Sequence, residues 1–173
     1  MFSLFKNKLT VDQAAEKFYT IMGQDDKKRW LSQLSRVPGL DTVRAADELL
    51  FLDLFAIYFS LKFTRSAGWS EKGILVFENI FNRFIGFLGD FWESKNAGTK
   101  EDAFKTIDGR FADYGANLEA SPEDPESIHI AVGLVFARLC LVEDNDTAIK
   151  IAGDAFNYRM QMLYNIFDSY KLK

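Results

Sequence analysis

The sequence predicts an all-α fold, a single-domain helical bundle of about seven helices with orthogonal and up-down packing. Apolar residues recur at steps of three and four along several long segments, which is the period of one helix face. Residues that favour helix N-termini stand just before those segments. No segment alternates apolar and polar residues as a half-buried strand does. These three observations favour the all-α class.

Each predicted helix begins at residues that suit a helix start. Thr10 and Gln13 have the spacing of a capping box, and Thr99 and Asp102 repeat this spacing. The other predicted starts are Asp25 or Asp26, Asp41, Ser70, Pro125, and Asp144 or Asp146. The resulting helices cover about 11–22, a short segment that ends before Pro38, 42–65, 71–94, 100–118, 125–142 and 146–170.

Four of these helices are expected to supply most of the core, namely those near 42–65, 71–94, 125–142 and 146–170. The composition favours an aromatic interior, because 17 of the 173 residues are Phe while only 6 are Tyr and 3 are Trp. Phe81 lies on the apolar seam of the helix near 71–94, and truncating a core Phe to Ala costs about 3–5 kcal/mol. In the same helix, Gly86 and Gly89 are expected to permit close approach of a neighbour.

Length, charge and cysteine content set further limits. With 173 residues, the chain is predicted to form one domain over 1–173, in which 1–9 is a flexible N-terminal segment. The net charge of −4 argues against a nucleic-acid partner. Cys140 is the only cysteine, which excludes an intramolecular disulfide and fits a reducing compartment. The longest apolar run, 49–63, would span ~22 Å as a helix, short of the ~30 Å hydrocarbon layer. We therefore expect a cytoplasmic protein without a transmembrane segment.

Asp53 is the most informative residue for function. It lies inside the apolar run 49–63, where an isolated charge would be costly to bury. Arg138 and Arg159 are charges on other helices predicted to be buried, and Arg159 occupies the middle of an apolar seam. Two interpretations stay open. These residues form a buried ion pair or network, which we favour, or they bind the polar head of an amphiphilic ligand in an apolar pocket.

The residue sets of common catalytic and metal sites are missing from the sequence. Glu126 and His129 have the spacing of di-iron helical proteins, but such a site needs two pairs and the chain has one His. One His and one Cys also argue against zinc. The acidic segment 143–146 lacks the glycine and distal glutamate of a calcium loop, so helix capping explains it better. We expect no catalytic residue, metal or cofactor.

The function expected from these observations is that of a non-enzymatic protein-interaction module, such as an adaptor, an inhibitor or an immunity-type protein. Its partner would be another protein. The alternative is a helical binding protein for an apolar or amphiphilic small molecule held in a Phe-rich pocket. An enzyme that uses carboxylates alone comes third. Lys27, Lys28 and Arg29 form a small basic patch that is either a solvated helix face or a docking patch for an acidic partner.

Overall fold

Seven helices make up the structure, a computed structural model that describes residues 8–22, 26–66, 71–119, 125–169 and 171–172. They are α1 (Val11–Met22), α2 (Asp26–Leu34), α3 (Thr42–Ser66), α4 (Glu71–Ser94), α5 (Lys100–Glu119), α6 (Pro125–Leu139) and α7 (Asp146–Ser169). Two short strands, β1 (Lys8–Leu9) and β2 (Lys171–Leu172), pair in parallel. The predicted all-α class is confirmed. The strand pair was not predicted, and it includes the last two residues of the segment 1–9.

Side chains at the predicted starts cap three of the helices. Thr10 and Gln13 form a reciprocal capping box before α1, in which each backbone N–H donates to the other side chain, at 3.1 and 3.2 Å. The Asp41 carboxylate accepts the N–H groups of Val43 and Arg44 at 2.9 and 3.2 Å at the start of α3. Before α5, the Asp102 carboxylate accepts the N–H of Thr99 at 2.9 Å, and the Thr99 hydroxyl accepts the N–H of Asp102 at 3.2 Å.

The predicted cap of α7 was wrong by one residue. Asn145, and neither Asp144 nor Asp146, supplies the side-chain oxygen, which accepts the N–H of Ala148 at 3.0 Å. Asn is as good a cap as Asp, so propensity alone did not separate these neighbours. Ser70 and Asp25 lie outside the described residues, and α2 begins at Asp26.

α6 ends at Leu139, three residues before the predicted end near 142. The chain leaves the helix through a Schellman motif, because the N–H of Val142 donates to the carbonyl of Ala137 at 2.9 Å and that of Leu141 to the carbonyl of Arg138 at 3.0 Å. Leu141 adopts a φ of 61°, a left-handed conformation that usually requires glycine. The apolar sequence therefore continues past the helix without prolonging it.

α3 lies at the centre of the molecule, since it contributes to two hydrophobic clusters. The first core cluster combines α3 with α2, α5, α6 and α7, and receives Leu49, Leu52 and Phe55 from α3. The second core cluster combines α3 with α1, α4 and single residues of α5 and α7, and receives Phe51 and Leu54 from α3. A helix that is apolar almost all round is one that is covered on both sides. The apolar run noted in the sequence thus has two opposite faces to bury.

Two expectations for α4 require correction. Phe77 is fully buried, whereas Phe81 packs against the second core cluster in a half-buried position, because the buried face of α4 is turned toward Val76 and Ile80. A Cβ atom on Gly86 would meet nothing within 4 Å, so Gly86 permits no close approach. Gly89 does lie close to a neighbour, 3.3 Å from the Lys100 side chain.

The closest helix approach in the described part is made by other glycines, on α6 and α7. A Cβ atom on Gly133 would stand 2.2 Å from the carbonyl oxygen of Ile149. A Cβ atom on Gly153 would stand 2.7 Å from the carbonyl oxygen of His129. The two positions are reciprocal, because α6 presents a glycine to the α7 backbone and α7 presents one to the α6 backbone. This pair of helices is therefore antiparallel and packed backbone against backbone.

Candidate functional site

Asp53 on α3 meets Arg159 on α7 in a two-point ion pair. Arg159 Nε donates to Asp53 Oδ1 at 2.8 Å, and Arg159 Nη2 donates to Asp53 Oδ2 at 3.1 Å. The arginine side chain is 3% exposed and the aspartate side chain 18% exposed. Such a fork-to-carboxylate geometry satisfies both charges where water reaches them poorly. The structure thus brings together two of the three predicted site residues.

One end of the Arg159 guanidinium has no acceptor. Nη1 is buried and makes no hydrogen bond within the described part of the molecule. Lys27 on α2 is the next charge near this pair, and burial lowers its pKa while the carboxylates of Asp53 and Asp47 oppose that shift. The ion pair therefore connects α3 to α7, and Lys27 of α2 is the cation whose pKa its aspartate influences.

Arg138, the third predicted site residue, lies elsewhere. It is on the surface at the end of α6, with Nη2 at 3.6 Å from the Asp113 carboxylate and both side chains about two-fifths exposed, at 44% and 40%. The sequence suggested a buried position because α6 is apolar almost throughout. Arg138, however, faces away from α7. A pair of this exposure contributes little to stability.

A second buried ion pair was missed by the sequence interpretation. Glu48 on α3 accepts hydrogen bonds from Nε of Arg110 on α5 at 2.9 and 3.0 Å, and its side chain is only 3% exposed. The available signal was position, because Glu48 falls beside Leu49 and four residues before Leu52 on the buried face of α3. Unlike Asp53, Glu48 stands just outside the continuous apolar run 49–63, so its burial is less evident from the sequence.

Tyr114 and Cys140 are buried groups whose pKa values are influenced by the charges of the Glu48–Arg110 pair. Burial raises the pKa of Glu48 and raises that of Tyr114 well above its ordinary value. Burial, aided by the Glu48 charge, raises the pKa of the Cys140 thiol to about 12. The thiolate is the reactive form of cysteine, so at neutral pH this buried thiol is a poor nucleophile. The ion pair itself connects α3 to α5.

The Phe-rich interior consists of rings in contact with each other. Phe55 lies against Tyr114 at a centroid distance of 4.9 Å, and against Phe111 at 5.6 Å and Phe156 at 6.1 Å. These rings close the space around Phe55 with ordinary aromatic packing. The alternative function, a small-molecule carrier with a Phe-rich pocket, stays a prediction.

Within the described ranges, no three or more His, Cys, Asp and Glu side chains are grouped in a way that could hold a metal ion. None of the described helices combines the length and the apolar character needed to cross a bilayer.

The outer side of α6 carries an apolar surface. Ile130 is 50% exposed and Leu134, one turn later, is 42% exposed. Leu141, held outward in its left-handed conformation after the helix end, is 74% exposed. Arg138 follows Leu134 by four residues on the same face. We call these four residues the α6 surface.

A second surface feature is a cleft between α2 and the first part of α7. It has a volume of about 500 Å³. Its lining residues are Arg29, Trp30 and Gln33 from α2 and Asp146, Thr147, Lys150, Ile151 and Asp154 from α7. Arg29 of the predicted basic patch therefore borders this cleft, while Lys27 of the same patch is partly buried and its pKa is influenced by the Asp53 and Asp47 carboxylates.

The chain matches no protein-family model, no curated protein sequence and no solved structure.

Proposed function

We propose that this protein is a non-enzymatic interaction module that binds another protein through the α6 surface. The observation that carries the proposal is the pair Ile130 and Leu134, two large apolar side chains one helical turn apart and about half exposed. Contiguous exposed apolar residues on one helix face are typical of binding surfaces, whereas single ones are ordinary. Leu141 extends the same helix end with a third exposed apolar side chain.

The chemistry of the α6 surface indicates what the partner presents. Apolar side chains at i and i+4 fit a hydrophobic groove on the partner. Arg138, one further turn along, is only weakly engaged by Asp113 at 3.6 Å and can meet a carboxylate at the end of that groove. The proposed partner is thus a protein with an apolar groove that has an acidic rim.

The interior supports an interaction role over a catalytic one. Both buried carboxylates named above are held by arginines in two-point contacts, and the buried Cys140 thiol stays protonated at neutral pH. A reducing compartment such as the cytoplasm suits a lone thiol of this kind. The net charge of −4 favours a protein partner over nucleic acid.

A matched pair of variants tests the proposal. The double variant Ile130→Ser, Leu134→Ser removes the apolar side chains of the α6 surface. Leu75→Ser on α4 removes a single leucine of similar exposure, 48%, from another helix. Each protein would be immobilised and used to retain binding proteins from the native host. We expect the double variant to bind the principal partner at least about tenfold more weakly, since central apolar contacts dominate such interfaces.

The comparison with Leu75→Ser decides the outcome. Retention by Leu75→Ser together with loss in the double variant supports binding at the α6 surface. Equal retention by both variants, or equal loss from both, contradicts it. Circular dichroism of each variant checks that α6 is still folded, since both substitutions are at exposed positions.

A further inference from the structure

The cleft between α2 and α7 carries charges of both signs that are not paired. Arg29 and Lys150 are cationic, and Asp146 and Asp154 are anionic. Within the described ranges, none of the four takes part in an ion pair. Lys150 stands four residues from each aspartate, a spacing at which helix neighbours often pair, yet it contacts neither within 4 Å. These charges of the cleft are therefore not engaged by the described part of the chain.

The three charges of α7 form a regular stripe. Asp146, Lys150 and Asp154 are at i, i+4 and i+8, so they lie on one face with successive side chains ~6 Å apart along the axis. The signs alternate as minus, plus, minus. A ligand with one sign of charge would meet a like charge somewhere along this stripe, and like charges in contact disfavour binding.

The complementary pattern is a helix with plus, minus, plus at the same spacing. We propose that the α2–α7 cleft binds an α-helix of a partner protein that carries Lys, Glu and Lys at i, i+4 and i+8. The pattern reads the same in both directions, so charge alone allows a parallel or an antiparallel helix. This inference rests on the proposed function in one respect, that the occupant belongs to a protein.

The base of the cleft supports a helical occupant. The Trp30 indole is fixed edge-on against Tyr158 at a centroid distance of 6.1 Å, and the Arg29 guanidinium lies 4.9 Å from its ring centre. Ile151 and Trp30 both line the cleft and are the buried apolar members of its lining. A fixed apolar base between charged walls is the usual form of a groove that receives a helix.

Three synthetic helical peptides test the charge pattern. They share all apolar residues and differ only at three positions, which are Lys-Glu-Lys, Lys-Lys-Lys or Glu-Glu-Glu. Binding of each labelled peptide to the full chain would be measured by fluorescence anisotropy at low ionic strength. We expect the Lys-Glu-Lys peptide to bind about fivefold more tightly than either of the others, because exposed ion pairs each contribute modestly. This preference should shrink at high salt.

A charge-swap variant makes the test specific to the cleft. Lys150→Glu changes the stripe to three negative charges, so the preferred peptide should become Lys-Lys-Lys. Lys72→Glu alters the net charge equally on α4 and is the matched control, which should still prefer Lys-Glu-Lys. Equal affinity of the wild type for all three peptides, or an unchanged preference in Lys150→Glu, would overturn the proposal.

The two proposals fail separately. The Ile130→Ser, Leu134→Ser variant keeps every residue of the cleft and should bind the peptides as the wild type does. Lys150→Glu keeps the α6 surface. If only the charge preference among the peptides is absent, the proposal for the cleft is wrong. If only the α6 variant retains the partner as the wild type does, the proposal for the α6 surface is wrong.

Discussion

Asp53 and Glu48 are two buried carboxylates that are stabilised in the same way. Each is on α3, and each receives a two-point contact from an arginine of another helix, Arg159 or Arg110. Five residues separate them, which places them about 140° apart around the helix axis. They therefore connect α3 to α7 and to α5 on different sides. These two ion pairs add polar contacts between helices that otherwise pack through apolar side chains.

Removal of one partner from the Asp53–Arg159 pair should be strongly destabilising. Asp53→Asn or Arg159→Met leaves the other charge buried without compensation, and we expect a loss of about 3–5 kcal/mol in the free energy of unfolding. The double variant should lose clearly less than the sum of the two. Urea denaturation of all four proteins measures this coupling. Strictly additive losses would show that the two side chains do not stabilise each other.

Cys140 should make stability depend on alkaline pH. Its pKa of about 12 in the folded protein exceeds the ordinary value of 9.0, so its contribution to stability is complete below about pH 9 and is lost between about pH 9 and 12. The free energy of unfolding of the wild type, relative to Cys140→Ala, should fall by up to ~1.4 kcal/mol per pH unit in this range. Urea denaturation at several pH values measures it, and a constant difference between the two proteins would contradict it.

At the scale of the elements, the contact between α6 and α7 depends on the absence of side chains. Gly133 and Gly153 let the two backbones meet, and Ala148 and Ala152 on α7 are fully buried small residues. Such a contact maximises close packing over a long length of helix. It also explains why α6 is covered on one side while Ile130 and Leu134 remain exposed on the other.

Alanine substitutions at two glycines should distinguish the contribution of this helix contact to stability from that of helix propensity. Gly133→Ala would place a methyl group 2.2 Å from a carbonyl oxygen, so the helices must move apart. We expect the free energy of unfolding to fall by more than ~2 kcal/mol. Gly109→Ala on α5 meets nothing within 4 Å and should gain up to ~1 kcal/mol from helix propensity. Thermal or urea unfolding compares the two. A similar effect of both substitutions would show that α6 and α7 are not in close contact.

Three of the helix starts were more predictable from the sequence than the end of α6 or the packing of its glycine. The caps at Thr10, Asp41 and Thr99 depend on short-range hydrogen bonds, and their residues determine them locally. The end of α6 was not predictable in this way, because Leu141 takes a backbone conformation that favours glycine. The role of Gly133 was also hidden, since the sequence does not show which backbone faces a glycine.

On the scale of the whole molecule, α3 organises two cores around itself. This arrangement accounts for both the success and the failure of the sequence interpretation of the candidate site. Asp53 was noticed because both of its flanks are apolar, and its pairing with Arg159 was one of two anticipated outcomes. Glu48 was overlooked because tertiary contacts, not the local sequence, place Arg110 beside it. The α2–α7 cleft also arises from packing between distant segments.

The second core cluster gives a test of the corrected packing of α4. Phe77→Ala removes a fully buried ring and should cost about 3–5 kcal/mol, whereas Phe81→Ala removes a half-buried ring and should cost clearly less. The two residues are one turn apart on the same helix, so each serves as the control for the other. Equal losses in the free energy of unfolding, measured by urea denaturation, would show that Phe81 is as buried as Phe77.

The position of α3 has a consequence for synthesis of the chain on the ribosome. α3 is complete at Ser66, but α7 supplies Phe156, Met160 and Leu163 to the two clusters about a hundred residues later. At ordinary translation rates that interval lasts roughly 5–20 s, during which a helix with two apolar faces lacks part of its cover. The nascent chain should therefore be a substrate for chaperones until α7 emerges, and truncation before α7 should yield an aggregating product.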